Sequence, residues 1–390
     1  MFKEIHIQNF RGIKDLKIND FKQVNLFVGA NNSGKTSVLE ALYISLNPNN
    51  ADLLTVTNLQ RGFYNSRIEK GTESIVVEKL FSDGFKYLFY KLLYKKQIEI
   101  ETKFNISGKE LTQNLFINSI IESNSNPLSG MSSTGASTQE KLSGLTQEFH
   151  IKEPGKKKKI YTSKSLYESK INAPQGSPDD SFQQLINGSL ISSKPPNISS
   201  IESLVSQVID NVQKNEVLEI IKNLDLSINS FDLTEGGIVK FNLGLGQLMP
   251  IGSLGDGVAR AFFIACHAAG EKAVQNGILL IDEIENGLHY SSQDKLWKWL
   301  FKVAKEKNIQ IFATTHSEDC EKSFIKASKE FVDSLEKKST TNSKNKTRKE
   351  DLDPSRLYRL EKKLDHTFRV EPYDYKSLDV SINDLGVETR

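Results

Sequence analysis

The sequence predicts an α/β protein: a mainly parallel sheet flanked by helices, with antiparallel strands at its N-terminus and an inserted α/β lobe. Three observations lead there. A short apolar strand, Val24 to Val28, runs into a Gly-rich loop and then a helix. Two more apolar strands, Gly277 to Ile281 and Ile309 to Thr314, are joined by an amphipathic helix. Apolar strands linked through a helix belong to a parallel sheet covered on both faces. Between these two parts lies a long stretch of different composition, which reads as an insertion.

The elements follow in order. Ile5, Ile7 and Phe10 alternate as a first strand, and Val24 to Val28 form the second. Ser37 to Leu46 has helical spacing, with Val38, Leu39, Leu42 and Leu46 on one face, and Pro48 stops it. Residues 1–48 are therefore expected to be the first part of the core. Residues 49–235 are expected to form the lobe. They hold a strand region (Ile75 to Phe104), a Ser/Asn/Gly-rich segment (Ser119 to Gly144) and a basic run (Lys156 to Lys159). A polar stretch (Ser163 to Ser200) and a helical pattern (Ile201 to Leu226) follow. Residues 236–330 are expected to complete the core, with helices at Val258 to Ala269 and Ser291 to Lys305. Residues 331–356 read as a basic disordered loop and 357–390 as a last strand pair and helix that close the core.

Composition bounds the function classes. Hydrophobic residues at 37% and charged residues at 26% suit a buried core with a solvated surface. Lys and Arg number 51 against 49 Asp and Glu, which gives no global pull towards nucleic acid or an anionic membrane. Any DNA binding would rest on the local runs Lys156 to Lys159 and Lys337 to Lys349, which lack aromatic residues for base stacking. The two cysteines, Cys266 and Cys320, have no metal-ligand spacing, and a reducing cytoplasm is the simplest compartment. No apolar run approaches the ~20 residues a membrane span needs.

Four motifs carry chemistry. Gly29-Ala30-Asn31-Asn32-Ser33-Gly34-Lys35-Thr36 matches G-x-x-x-x-G-K-[ST] between a strand and a helix. The glycines let the backbone close around phosphates, and the N–H groups of Asn31 to Ser37 and the helix N-terminus face the anion. Lys35 neutralises β- and γ-phosphates, and the Thr36 hydroxyl suits Mg²⁺. Asp282 and Glu283 end the apolar strand Gly277 to Ile281. Asp282 is expected to hold Mg²⁺ through water, and Glu283 to act as general base for the attacking water. Ser253-Leu254-Gly255-Asp256-Gly257 precedes a helix and offers a second anion-accepting N-terminus, although taken by itself an ordinary helix cap by Ser253 or Asp256 is the simpler reading. His316, in Thr314-Thr315-His316-Ser317, ends the next strand and is placed to donate to a γ-phosphate oxygen.

The order of these motifs resembles the ABC-type P-loop ATPases, in particular their RecF/SMC-like branch. Phe10-Arg11-Gly12, Val24 to Leu39, Ser253 to Arg260, Leu280 to His289 and Thr314 to Ser317 are the segments that carry the likeness. They are also similar to stand-alone ATPases related to the overcoming-lysogenization-defect (OLD) nucleases. The resemblance implies ATP and Mg²⁺ as ligands and a homodimer with ATP at the joint. Ser253, Gly255 and Gly257 of one copy would then face the P-loop of the other, with Arg11 near the nucleotide. It implies a separate effector protein, for example in anti-phage defence; a RecF-like DNA-repair ATPase and a low-turnover scaffold stay open. OLD nucleases carry a further nuclease domain. Here Asp351-Leu352-Asp353 is the one late acidic candidate, and it reads as a loop.

Overall fold

The computed structural model describes residues 1–50, 52–62, 84–124, 139–166, 175–177, 182, 184–194, 198–234, 237–270, 277–342, 353–374 and 377. Parts of the expected strand region at 75–83, of the Ser/Asn/Gly-rich segment, of the basic run at 343–349 and of the C-terminal helix lie outside the described residues, as do Asp351 and Leu352. The chain divides into two compact units: Met1–Lys3, Asn19–Leu39 and Leu185–Arg390 in one, Glu4–Ile18 and Glu40–Gln184 in the other.

The first unit is built on a six-stranded sheet. The strands are β3 (Val24–Val28), β9 (Gly188–Ile191), β13 (Ile278–Ile281), β14 (Gln310–Thr314), β15 (Ser355–Lys362) and β16 (Phe368–Tyr373). Their order is β16-β15-β3-β14-β13-β9, with β16 alone antiparallel to its neighbour. Side chains alternate across this sheet. Val24, Leu26 and Val28 join one core, while Phe27 meets Phe21, Phe312 and Tyr358 in an aromatic cluster. Burial on both faces is why β3, β13 and β14 are apolar throughout. The core also takes residues from α3 (Ile198–Asp210), α4 (Lys214–Leu224), α5 (Asp256–Ala269), α6 (Tyr290–Glu306) and α7 (Glu318–Asn342). A small antiparallel sheet of β10 (Ser230–Leu233), β11 (Val239–Asn242) and β12 (Leu248–Pro250) packs Phe231 and Phe241 on Phe262 of α5.

The second unit holds a seven-stranded sheet in the order β2-β1-β4-β5-β6-β7-β8. Its strands are β1 (Phe2–Phe10), β2 (Ile13–Ile18), β4 (Ile98–Ile106), β5 (Lys109–Asn124), β6 (Gln139–Lys152), β7 (Lys159–Leu166) and β8 (Gln175–Ser177). Alternate residues Ile98, Ile100, Leu115, Ile117, Leu145 and Phe149 are buried, as an antiparallel sheet with one covered face requires. Two helices carry residues of this unit: α1 (Lys35–Leu46), whose second half belongs to it, and α2 (Asp52–Gln60).

Three boundaries differ from the sequence expectation. Residues 1–48 are expected as one part of the core, yet Glu4–Ile18 and Glu40–Gln184 belong to the second unit. The lobe is expected to reach residue 235, yet β9 pairs in parallel with β13, and α3 and α4 enter the core of the first unit. Four residues, Gly188 to Ile191, are too few to show a strand period within a polar surrounding. The loop drawn at 331–356 begins instead as helix, since α7 continues to Asn342. Residues 318–342 contain neither Gly nor Pro, so the Lys-rich sequence continues the helix.

Candidate functional site

The site is built where three parallel strands end. β3 delivers the phosphate loop, which must turn sharply into α1. Gly29 has φ +138°, and a Cβ there would lie 2.3 Å from the carbonyl oxygen of Leu360, so only glycine fits. Gly34 has φ +90°, and Asn32 takes a left-handed φ of +64° that asparagine tolerates. Asn31 and Asn32 are exposed, whereas Ser33, Lys35 and Ser37 are buried. The Lys35 ammonium donates to the carbonyls of Gly29 (2.6 Å) and Ala30 (3.1 Å), folded over its own loop. Burial pushes the Lys35 pKa down, and Asp282, Glu285, Glu283 and Glu321 pull it back.

β13 ends in the acidic pair. The Thr36 hydroxyl donates to Asp282 Oδ1 at 2.9 Å, and the Thr314 hydroxyl donates to the same oxygen at 2.8 Å. That threonine oxygen also accepts the Glu283 N–H at 2.8 Å. Thr314, fully buried at the end of β14, thus holds both acidic residues. Glu283 takes a left-handed φ of +47°, a strained state for a residue with a side chain. Its carboxylate accepts from Asn286 Nδ2 at 2.8 Å. His316 is exposed, and its N–H donates to Glu285 Oε1 at 3.0 Å, with Nδ1 3.3 Å from the same oxygen.

Ser253 is exposed in a 3-10 turn and donates to the Pro250 carbonyl at 2.7 Å. The residue that caps α5 is Gly255, which offers no side-chain cap. A Cβ on Gly257 would sit 2.4 Å from the Gly287 carbonyl oxygen, so this glycine has a packing reason. Arg11 lies in the other unit. Its guanidinium donates to Asn58 Oδ1 (2.9 Å) and Thr57 Oγ1 (3.3 Å) and pairs with Glu40, which also takes Arg61.

Sequence reasoning gave no role to Thr314, Glu285 or Arg260. Arg260 stands alone among apolar residues on α5, a pattern that signals a buried, bonded cation.

Thr36 and Asp282 together offer two hard oxygens beside the phosphate loop. Mg²⁺ fits such a pair, because it completes its shell with phosphate oxygens and water. Among the described residues no group of three or more His, Cys, Asp and Glu side chains forms a metal site by itself.

A parallel sheet, a phosphate loop on its β3, an acidic pair on β13 and a histidine after β14 define a P-loop ATPase core of the ABC type. The chain belongs to the AAA ATPase domain family, whose model matches residues 1–320. It is 26% identical over 336 residues to an ATP/GTP phosphatase of Helicobacter pylori, covering 82% of this chain and 86% of that protein. It is 30% identical over 105 residues to the DNA replication and repair protein RecF of Nitrosococcus oceani, covering 25% of this chain and 29% of that one. Among solved structures, a Smc head domain with an extended coiled coil, from Pyrococcus furiosus, matches in fold with a TM-score of 0.50 at 10% identity, over 99% of both chains.

Proposed function

We propose that this protein binds ATP with Mg²⁺ and hydrolyses it to ADP and phosphate as a homodimer. The observation that carries this reading is the 2.9 Å contact between Thr36 and Asp282, which joins the phosphate loop to the acidic strand end. The N–H groups of the loop and Lys35 take the phosphates. Thr36, and Asp282 through water, would hold Mg²⁺, which would draw charge from the γ-phosphate when bound. Glu283 takes a proton from the attacking water, and His316 donates to the γ-phosphate. The N-terminus of α5, with Ser253 and Gly255, serves the nucleotide of the second copy.

The reading extends to a separate effector that the ATPase controls, as in anti-phage defence, and to a cytoplasmic setting. No described helix is long and apolar enough to cross a membrane. DNA is not the favoured partner. Glu153 pairs with Lys156 and with Lys109, which offsets part of the basic run at Lys156 to Lys159.

Titration with a fluorescent ATP analogue tests the core of the proposal. Lys35→Ala removes a charged donor worth about 1.5–3 kcal/mol, so affinity should fall about ten- to hundredfold. A folded Lys35→Ala protein with wild-type affinity sinks the reading.

A further inference from the structure

One buried cation has no part in the chemistry above. Arg260 lies on α5, one turn in from Asp256, and is 9% exposed. Its hydrogen bonds go to main-chain carbonyls: Nη1 to Ser192 and Nη2 to Asp282, each at 2.5 Å, with Nη2 also 3.4 Å from the Glu283 oxygen. A buried guanidinium is costly to desolvate, and an apolar side chain of similar volume often serves the fold as well. Burial indeed pushes the Arg260 pKa down, countered by Asp282, Glu283 and Glu285.

What Arg260 grips is the strained turn that aims Glu283. The Glu283 N–H is held by Thr314, its carboxylate by Asn286 and its carbonyl by Arg260. A left-handed φ at a non-glycine residue persists only when its surroundings over-determine it. The same helix is joined to the loop after Glu283 a second time, where Gly257 closes on the Gly287 carbonyl.

We propose that Arg260 is a positioning residue that sets the backbone of Asp282 and Glu283 for water activation and ties that setting to α5. The inference rests on Glu283 being the general base. Since the first turn of α5 serves the other copy's nucleotide in that reading, Arg260 couples the two ATP sites of the dimer: the base of one and the phosphate contact of the other share one rigid piece.

The test compares Arg260→Met, Arg260→Lys, Glu283→Gln and the double variant Arg260→Met/Glu283→Gln. Fluorescent ATP-analogue binding and single-turnover ATP hydrolysis are measured on each full-length protein. Arg260→Met should keep its affinity within about threefold and lose at least tenfold in hydrolysis rate, in the range of a misplaced catalytic group. Arg260→Lys, with one ammonium for two carbonyl sites, should recover part of the rate. In the Glu283→Gln background the Arg260→Met change should cost little more, because the two act through one group; a general structural defect would instead multiply with it. A folded Arg260→Met protein with a rate within twofold of wild type overturns the inference. So does a parallel loss of affinity and rate, or full additivity in the double variant. If neither Arg260 variant folds, the residue serves the fold and the inference is wrong. A Glu283→Gln protein with normal turnover would instead remove the general-base reading itself.

Discussion

The Thr36 hydroxyl donates to Asp282 Oδ1 across 2.9 Å, although 246 positions separate the two residues in the chain. The threonine oxygen suits Mg²⁺ directly and the carboxylate would hold it through water, so neither forms a site alone.

Asp282→Asn keeps the shape of this pair and removes its charge. The Mg²⁺ concentration needed for half-maximal ATPase activity should then rise about 10–100-fold, the usual effect of losing an outer-shell partner. Chelation with EDTA should stop turnover of the wild-type protein. Hydrolysis at full rate in EDTA would remove Mg²⁺ from the mechanism.

Thr314→Val tests the hydroxyl that bridges the acidic residues. The variant leaves the Glu283 N–H without its acceptor and Asp282 without one donor. An unsatisfied buried group costs about 1–3 kcal/mol, so thermal unfolding should shift down by a few degrees. The ATPase rate should fall with it, since the acids lose their shared anchor. An unchanged melting curve would contradict the bonding described.

Glu283→Gln should lower turnover about 10²–10⁴-fold, the general range for a general base. Asp282, Lys35 and Thr36 remain, so ATP should still bind. Size-exclusion chromatography with light scattering should then show an ATP-dependent dimer of this variant. A Glu283→Gln protein that stays monomeric with bound ATP would refute the nucleotide-bridged dimer.

Ser253→Arg places bulk beside the α5 N-terminus, on an exposed residue, so the fold should survive. ATP binding to one subunit should persist and hydrolysis should stop. Mixing Ser253→Arg with Lys35→Ala subunits creates heterodimers with one intact joint, in which hydrolysis should partly return. Normal turnover in Ser253→Arg alone removes that residue from the site.

Much of this site is legible in the sequence because its signals are local. Gly29 to Thr36 declares itself by spacing, and the apolar runs of β3, β13 and β14 by their burial on two faces. The parts that are not legible depend on contacts far apart in the chain. Gly188 to Ile191 becomes a sheet strand only by lying beside β13. Arg260 has apolar neighbours on its helix, but nothing near it in sequence names the carbonyls of Ser192, Asp282 and Glu283 as its partners. Arg11 stands next to a family-like Phe10, and the side chains that hold it, Glu40, Thr57 and Asn58, follow no spacing rule. The helical course of residues 331–342 was obscured by charge, which marks solvation and leaves helix formation untouched.

The strand that carries the phosphate loop has β14 and β15 as its neighbours, and the tight turn at Gly29 rests on the Leu360 carbonyl. The ribosome makes β3 first and Leu360 roughly 330 residues later, a delay on the order of tens of seconds at ~5–20 residues per second. During that interval an apolar strand waits without partners, and the loop lacks the wall that shapes it. ATP therefore cannot guide the nascent chain while only the phosphate loop has been made: nucleotide binding and completion of the central sheet come together, after Leu360 has been added. A protein cut short before residue 355 would lose its ATP site while retaining every residue of the phosphate loop.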